Sequence, residues 1–175
     1  GDVRIRNLQG QTTRNLYSLA IAPREGRIFI TNWWPGSLYA VDAGTMRARK
    51  NLFLAPSLLK VIYDGAGILY VASPVRGEIL AVDARRLKVL RRYKAGLGAR
   101  DIELDLRGGR LFAGNYADGS VDVININTGR RIRRYYAGPL VRGVEYDARG
   151  DRLFACSRCG VFEINLKTTE KEHGK

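Results

Sequence analysis

Two thiols three residues apart, in the run Cys156-Ser157-Arg158-Cys159-Gly160, are the most distinctive reactive groups of the chain. A c-type haem site needs His directly after the second Cys, and Gly160 stands there, so haem attachment is excluded. A structural zinc site needs about four ligands. The chain offers these two thiols and one histidine, His173, so zinc would need a carboxylate or a second chain. Three readings stay open, in this order: a Cys156–Cys159 disulfide stapling a hairpin, reduced and inert thiols, and a metal site. A disulfide would agree with an exported protein.

No catalytic constellation accompanies the thiols. A Ser-His-Asp or Cys-His pair would have to use His173, close to the chain end. The recurring acids Asp64, Asp105 and Asp147 each precede a tight turn, where a carboxylate caps nearby backbone amides. The same holds for Asp42 and Asp83. Gly108-Gly109 is a turn as well, because no helix follows it to make a phosphate loop. No catalytic residue, no resident metal and no cofactor is therefore expected.

The elements that carry these residues are short strands. In residues 99–140, Ile102 and Leu104 alternate with polar residues, and Leu111-Phe112-Ala113 forms an apolar run. Val121, Val123 and Ile126 follow, then Ile132 in an arginine-rich stretch, with Gly, Asn and Asp turns between the runs. That is an antiparallel meander of four strands. It recurs. The hairpin glycine is Gly36, Gly77, Gly119 and Gly160, at spacings of 41, 42 and 41. The first-strand position is Leu19, Val61, Ile102 and Val144, and the opening of the second strand is Ile28, Leu69, Leu111 and Leu153. A period near forty residues with four strands per repeat predicts the blades of a β-propeller.

The repeats run over about 17–54, 59–96, 99–140 and 141–166, in one domain spanning 1–175. The last lacks a convincing fourth strand. Residues 3–10, VRIRNLQG, match the fourth strand RIRRYYAG of the third repeat. The expected fold is thus all-β, four blades' worth of four-stranded antiparallel sheet, with the N-terminal strand completing the last blade and covering its edge. Arg85-Arg86-Leu87-Lys88-Val89 has some helical character, but the repeat assigns it to a turn and a fourth strand.

Lysine and arginine number 30 against 17 acids, a net charge of +13. Such a balance favours anionic partners, and it also suits solvated outer strands. No run approaches the eighteen or so apolar residues of a membrane helix. Gly1-Asp2-Val3 opens the chain without an initiating Met or a signal peptide and reads as a processed or trimmed start.

The repeat pattern resembles the YVTN-type β-propeller repeat of YncE-like proteins: R-[IL]-[FY]-[AIV], then Asn or Ser, G-x-[LIV]-x-[AV]-[IV]-[DN], and T-G-R. The clearest copy runs from Gly108-Gly109-Arg110-Leu111-Phe112-Ala113-Gly114-Asn115 through Val121-Asp122-Val123-Ile124-Asn125 to Thr128-Gly129. The resemblance covers nearly the whole chain and implies a bacterial, exported or periplasmic repeat protein of the binding or scaffold kind. Relatives commonly have about seven blades, within the usual range. Four repeats leave a closed four-bladed ring, a segment of a longer propeller, or a half-ring that pairs with a second copy as a homodimer.

In propellers of this kind the loops between the second and third strands share a face with the starts of the first strands. On this chain that face carries Trp33, Trp34, Arg76, Arg100, Tyr116, Arg142 and Arg158, with Tyr17 and Asn32 beside them. Aromatic rings next to guanidiniums suit stacking on sugars or bases and pairing with phosphate or carboxylate. A competing role for one tryptophan is to fill the packing between blades. The expected function is a non-enzymatic binding or scaffold module for a protein partner or an anionic polymer, glycan or nucleic acid. The alternatives are a structural subunit of a larger assembly and, less favoured, a metal-dependent lactonase-like hydrolase.

Overall fold

The structure is a computed structural model that describes residues 15–167. Residues 3–10 and His173 lie outside the described residues. Fifteen strands are present among the described residues, and a 3-10 turn lies at Pro23–Glu25. The first sheet holds β1 (Leu16–Ala22), β2 (Arg27–Asn32), β3 (Ser37–Asp42) and β4 (Ala48–Phe53). The second holds β5 (Val61–Tyr63), β6 (Ile68–Ser73), β7 (Glu78–Asp83) and β8 (Val89–Lys94). The third holds β9 (Ala99–Asp105), β10 (Arg110–Asn115), β11 (Ser120–Asn125) and β12 (Arg131–Tyr136). The fourth has three strands, β13 (Gly143–Asp147), β14 (Arg152–Ser157) and β15 (Gly160–Asn165). Every sheet is ordered as the chain runs, without a crossover. Residues 85–89 are turn and strand, as the repeat requires.

The turns explain why the strands stop where they do. Asp64 Oδ1 accepts from the amides of Ala66, Gly67 and Ile68 at 2.7, 2.9 and 2.9 Å. Asp105 takes Gly108 N and Asp147 takes Arg149 N, both at 3.0 Å. At the third turn Asp42 takes Thr45 N at 2.8 Å, Asp83 takes Arg86 N at 2.7 Å, and Asn125 takes Thr128 N at 2.8 Å. Each acceptor satisfies amides that no ladder can reach. The amide and hydroxyl of Thr45, followed by Arg49, pull the Asp42 carboxyl down to about 2. The hairpin glycine is required by space as well as by backbone angle. Gly119 has φ +69°, and a Cβ there would lie 2.6 Å from the Gly138 carbonyl oxygen.

Contacts divide the described residues into two compact units, 15–73 with 80–91, and 74–79 with 92–167. In the first, Ala20, Phe29 and Leu38 of the first sheet pack with Val61, Leu69 and Val71 of the second. Thr31 Oγ1 donates to the Leu59 carbonyl, and Arg27 Nη1 donates to the Ala84 carbonyl at 3.1 Å. In the second, Phe112, Val121 and Val123 of the third sheet pack with Val144, Leu153 and Ala155 of the fourth. Burying each such Val, Leu or Phe contributes roughly 1.5–3 kcal/mol. Alternation along each strand therefore places one apolar face on the neighbouring sheet.

Candidate functional site

The turns between second and third strands, together with the starts of first strands, lie at one end of each sheet. In the first unit, Trp33 and Trp34 follow β2 and are 54% and 60% exposed. Neither fills packing between sheets, because both lie in the turn rather than on the strand. The backbone of Trp33 donates to the Asn15 carbonyl at 2.9 Å, which fixes the turn while leaving both indoles to solvent. Asn32, expected beside them, is buried.

The second unit holds Arg76, Arg100, Tyr116, Arg142 and Arg158. The Arg100 guanidinium lies over the Tyr116 ring at 5.3 Å from its centroid, a cation–π geometry. Arg76 stands 3.9 Å from Glu78, whose carboxylate also receives Arg92 at 2.7 Å. Arg142, just before β13, and Arg158, in the turn between β14 and β15, are exposed. Their backbones are held by bonds from Arg142 N to the Cys156 carbonyl at 2.8 Å and from Arg158 N to the Pro139 carbonyl at 3.1 Å.

Cys156 and Cys159 are free and exposed thiols, not the expected staple. The reason is direction. A Cβ on Gly143 would lie 3.1 Å from Cys156 Sγ, whereas a Cβ on Gly138 would lie 3.6 Å from Cys159 Sγ. One sulfur thus faces the start of β13 and the other the loop that precedes it. Among the described residues, no group of three or more His, Cys, Asp or Glu is placed to hold a metal ion. No helix among them is long and apolar enough to cross a membrane.

Much of the positive charge sits on outer strands rather than in these loops. Arg49 and Lys50 lie on β4, Arg91, Arg92 and Lys94 on β8, and Arg131, Arg133 and Arg134 on β12. Charged edges of this sort resist pairing with other chains. Two open grooves mix cations with carboxylates that already have partners. One, of about 450 Å³, is lined by Arg24, Glu25, Arg85 and Arg86; Glu25 accepts from the Tyr63 hydroxyl at 2.8 Å. The other, of about 560 Å³, is lined by Arg107, Arg110, Tyr146 and Asp151, and Arg110 donates to Asp151.

A polar cluster that strand alternation concealed lies in the third sheet. Asp122 is fully buried and receives Arg134 Nε at 2.7 Å, Arg134 Nη2 at 2.8 Å and Asn115 Nδ2 at 3.0 Å. Asn115 Oδ1 accepts from Gly96 N at 3.1 Å, so the cluster also ties down the loop entering β9. A signal was present: the equivalent third-strand positions are Tyr39, Leu80 and Phe162, so the acid interrupts an otherwise apolar or aromatic series.

No family model matches the chain, and no curated protein matches it. Solved structures do. The hydrazine synthase of Kuenenia stuttgartiensis is 20% identical with a TM-score of 0.77, over 91% of this chain and 49% of that one. The computationally designed Ika8 protein is 15% identical with a TM-score of 0.72, over 90% of this chain and 48% of that one. The fold is β-propeller-like. The chain spans about half the length of either structure, and likeness at these identities extends to the fold alone.

Proposed function

We propose that the chain is a YVTN-type propeller-repeat domain acting as a non-enzymatic binding or scaffold module, which takes an anionic or protein partner through its loop ends. The observation that carries this reading is the adjacent pair Trp33 and Trp34, both more than half exposed. Large rings held in water by a fixed turn are a ready stacking surface. In the other unit, Arg100 over Tyr116 forms a separate stacking element with a charge. Titration with single-stranded nucleic acid, an anionic glycan and acidic vesicles at two salt concentrations tests the reading. Binding should weaken as salt rises. Arg100→Ala with Arg142→Ala should weaken all ligands and flatten the salt dependence, whereas Trp33→Ala with Trp34→Ala should reduce discrimination among them. Absence of binding to all three at low salt would reject an anionic ligand and favour a structural subunit docked to protein.

Within this reading, residues 3–10 supply the outer strand that the fourth sheet lacks. Supporting it, β15 is exposed along most of its length and ends its sheet, whereas β3, β7 and β11 are largely buried and each has an outer neighbour, β4, β8 or β12. Amide exchange should show protection of β15 in the full chain and its loss in a chain starting at residue 11. Equal exchange in both chains would refute the assignment.

A further inference from the structure

The repeat shows which exposure belongs to a turn and which to the place of a sheet. The turn after the second strand reads Trp33-Trp34-Pro35-Gly36 in the first sheet, Pro74-Val75-Arg76-Gly77 in the second and Tyr116-Ala117-Asp118-Gly119 in the third. Val75 and Ala117, at the place of Trp34, are exposed as it is. The fourth strands end on Phe53, Lys94 and Tyr136, and all three are exposed. Solvent at Trp34 and Phe53 is therefore a property of these repeat positions. Phe53 lies at the same end of the sheet as the turn. It pairs with Ser37, directly after Gly36, and Leu54 N donates to the Gly36 carbonyl at 3.1 Å.

What sets the first sheet apart is chemistry. Where the second sheet puts Arg76 and Lys94, the first has Pro35 and Phe53. No charged residue stands from Ile28 to Val41 or from Asn51 to Leu59, in a chain that is 27% charged. The tip can thus leave water without desolvating a charge. A protein partner is selected and held in register by charges at the rim, and this tip offers none. A bilayer asks for no register and takes tryptophan at its headgroup boundary, ring inward and N–H toward water. The acids of the first unit among the described residues are Glu25, Asp42, Asp64 and Asp83. All four lie at the end of their sheets away from the turn between second and third strands. The uncharged run 51–59, by contrast, is bounded by two cations, Lys50 and Lys60.

We propose that this tip docks on an anionic phospholipid bilayer. Trp33, Trp34 and Phe53 enter the headgroup boundary, and Lys50 and Lys60 meet the anionic headgroups. This names the partner of the tryptophan turn and rests on that turn being the contact, as proposed above. Rings and charge are both needed, because binding strength at such a surface scales with buried apolar area plus attraction to anionic lipids.

Trp33 and Trp34 are the only tryptophans of the chain, so intrinsic emission reports on the tip alone. Mixed vesicles of phosphatidylcholine and phosphatidylserine should shift that emission to the blue and co-sediment the protein, and bromine-labelled acyl chains should quench it. Trp34→Val and Phe53→Lys each take the residue type of the second sheet, and circular dichroism confirms their fold. Each should weaken vesicle binding about tenfold or more through the lost burial. Co-sedimentation without a blue shift, or binding indifferent to both substitutions, would overturn the proposal and leave charge as the whole attraction. Emission that shifts with an anionic glycan or single-stranded nucleic acid and not with vesicles would overturn it too, while the turn would keep its place as a binding surface. No response to vesicles, glycan or nucleic acid would remove the anionic ligand along with the bilayer.

Discussion

Arg134→Ala lowers the unfolding free energy by about 3 kcal/mol, the lower end of the range for stripping one partner from a buried ion pair. Asp122 has no exposure, and Arg134 binds it through two nitrogens. Without that fork the carboxylate keeps Asn115 and has Arg131 at 3.6 Å, and Arg131 is itself 43% exposed. Those remaining partners place the loss at the low end. The repeat supplies a control, because the position holds Leu80 in the second sheet, where it is fully buried. Asp122→Leu with Arg134→Leu should accordingly fall within about 1 kcal/mol of the parent, since apolar replacement of both partners removes the desolvation penalty. Urea denaturation of the three proteins checks this. Equal destabilisation of the single and double variants would show that packing, not charge, is at stake.

Arg110→Ala should cost about 2–3 kcal/mol at neutral pH, because it leaves one nearly buried and two half-buried groups short of a donor. Arg110 Nε donates to Asp105 at 2.8 Å, and Nη2 donates to the Tyr146 hydroxyl at 2.9 Å and to Asp151. The residue thereby joins β10 to β13 and to the turn before β14. Burial lowers the guanidinium pKa, but the hydrogen bonds that it donates to Asp151 and Asp105 outweigh this and raise the value. Burial, then the bond to Asp151, pushes the Tyr146 hydroxyl up to about 12. Arg110 in turn holds the Asp151 carboxyl below the usual range against the opposing effect of burial. A lowered folded pKa means a contribution that is complete above the unfolded value of about 3.9 and lost as pH falls through the folded one. Parent and variant stabilities should thus converge below about pH 4. Arg110→Lys should recover only part of the loss, since an ammonium lacks the planar fork. A gap between parent and Arg110→Ala that is constant from pH 7 to pH 2 would contradict this account.

The strands and their turns were legible because their causes are local. A period of about forty residues locates Leu19, Val61, Ile102 and Val144, and an Asp before a turn has one economical use for its carboxylate. The cysteines were not legible. Spacing places Cys156 and Cys159 on one hairpin, but the direction of each sulfur depends on the strand and loop packed beside that hairpin, which period cannot supply. Net charge failed in a similar way. A value of +13 says nothing of where the cations lie, and many lie along β4, β8 and β12. Asp122 was hidden because an acid within an alternating strand ordinarily faces water. Only comparison with Tyr39, Leu80 and Phe162 marks it as exceptional.

The order of strands within each sheet has a kinetic consequence. Each sheet is a meander whose neighbours in space are neighbours in sequence, so the loops to be closed are short and the search for partners is local. Sheets can therefore form one after another as the chain lengthens, each offering a template face to the next. Folding within one chain is then independent of how many chains are present.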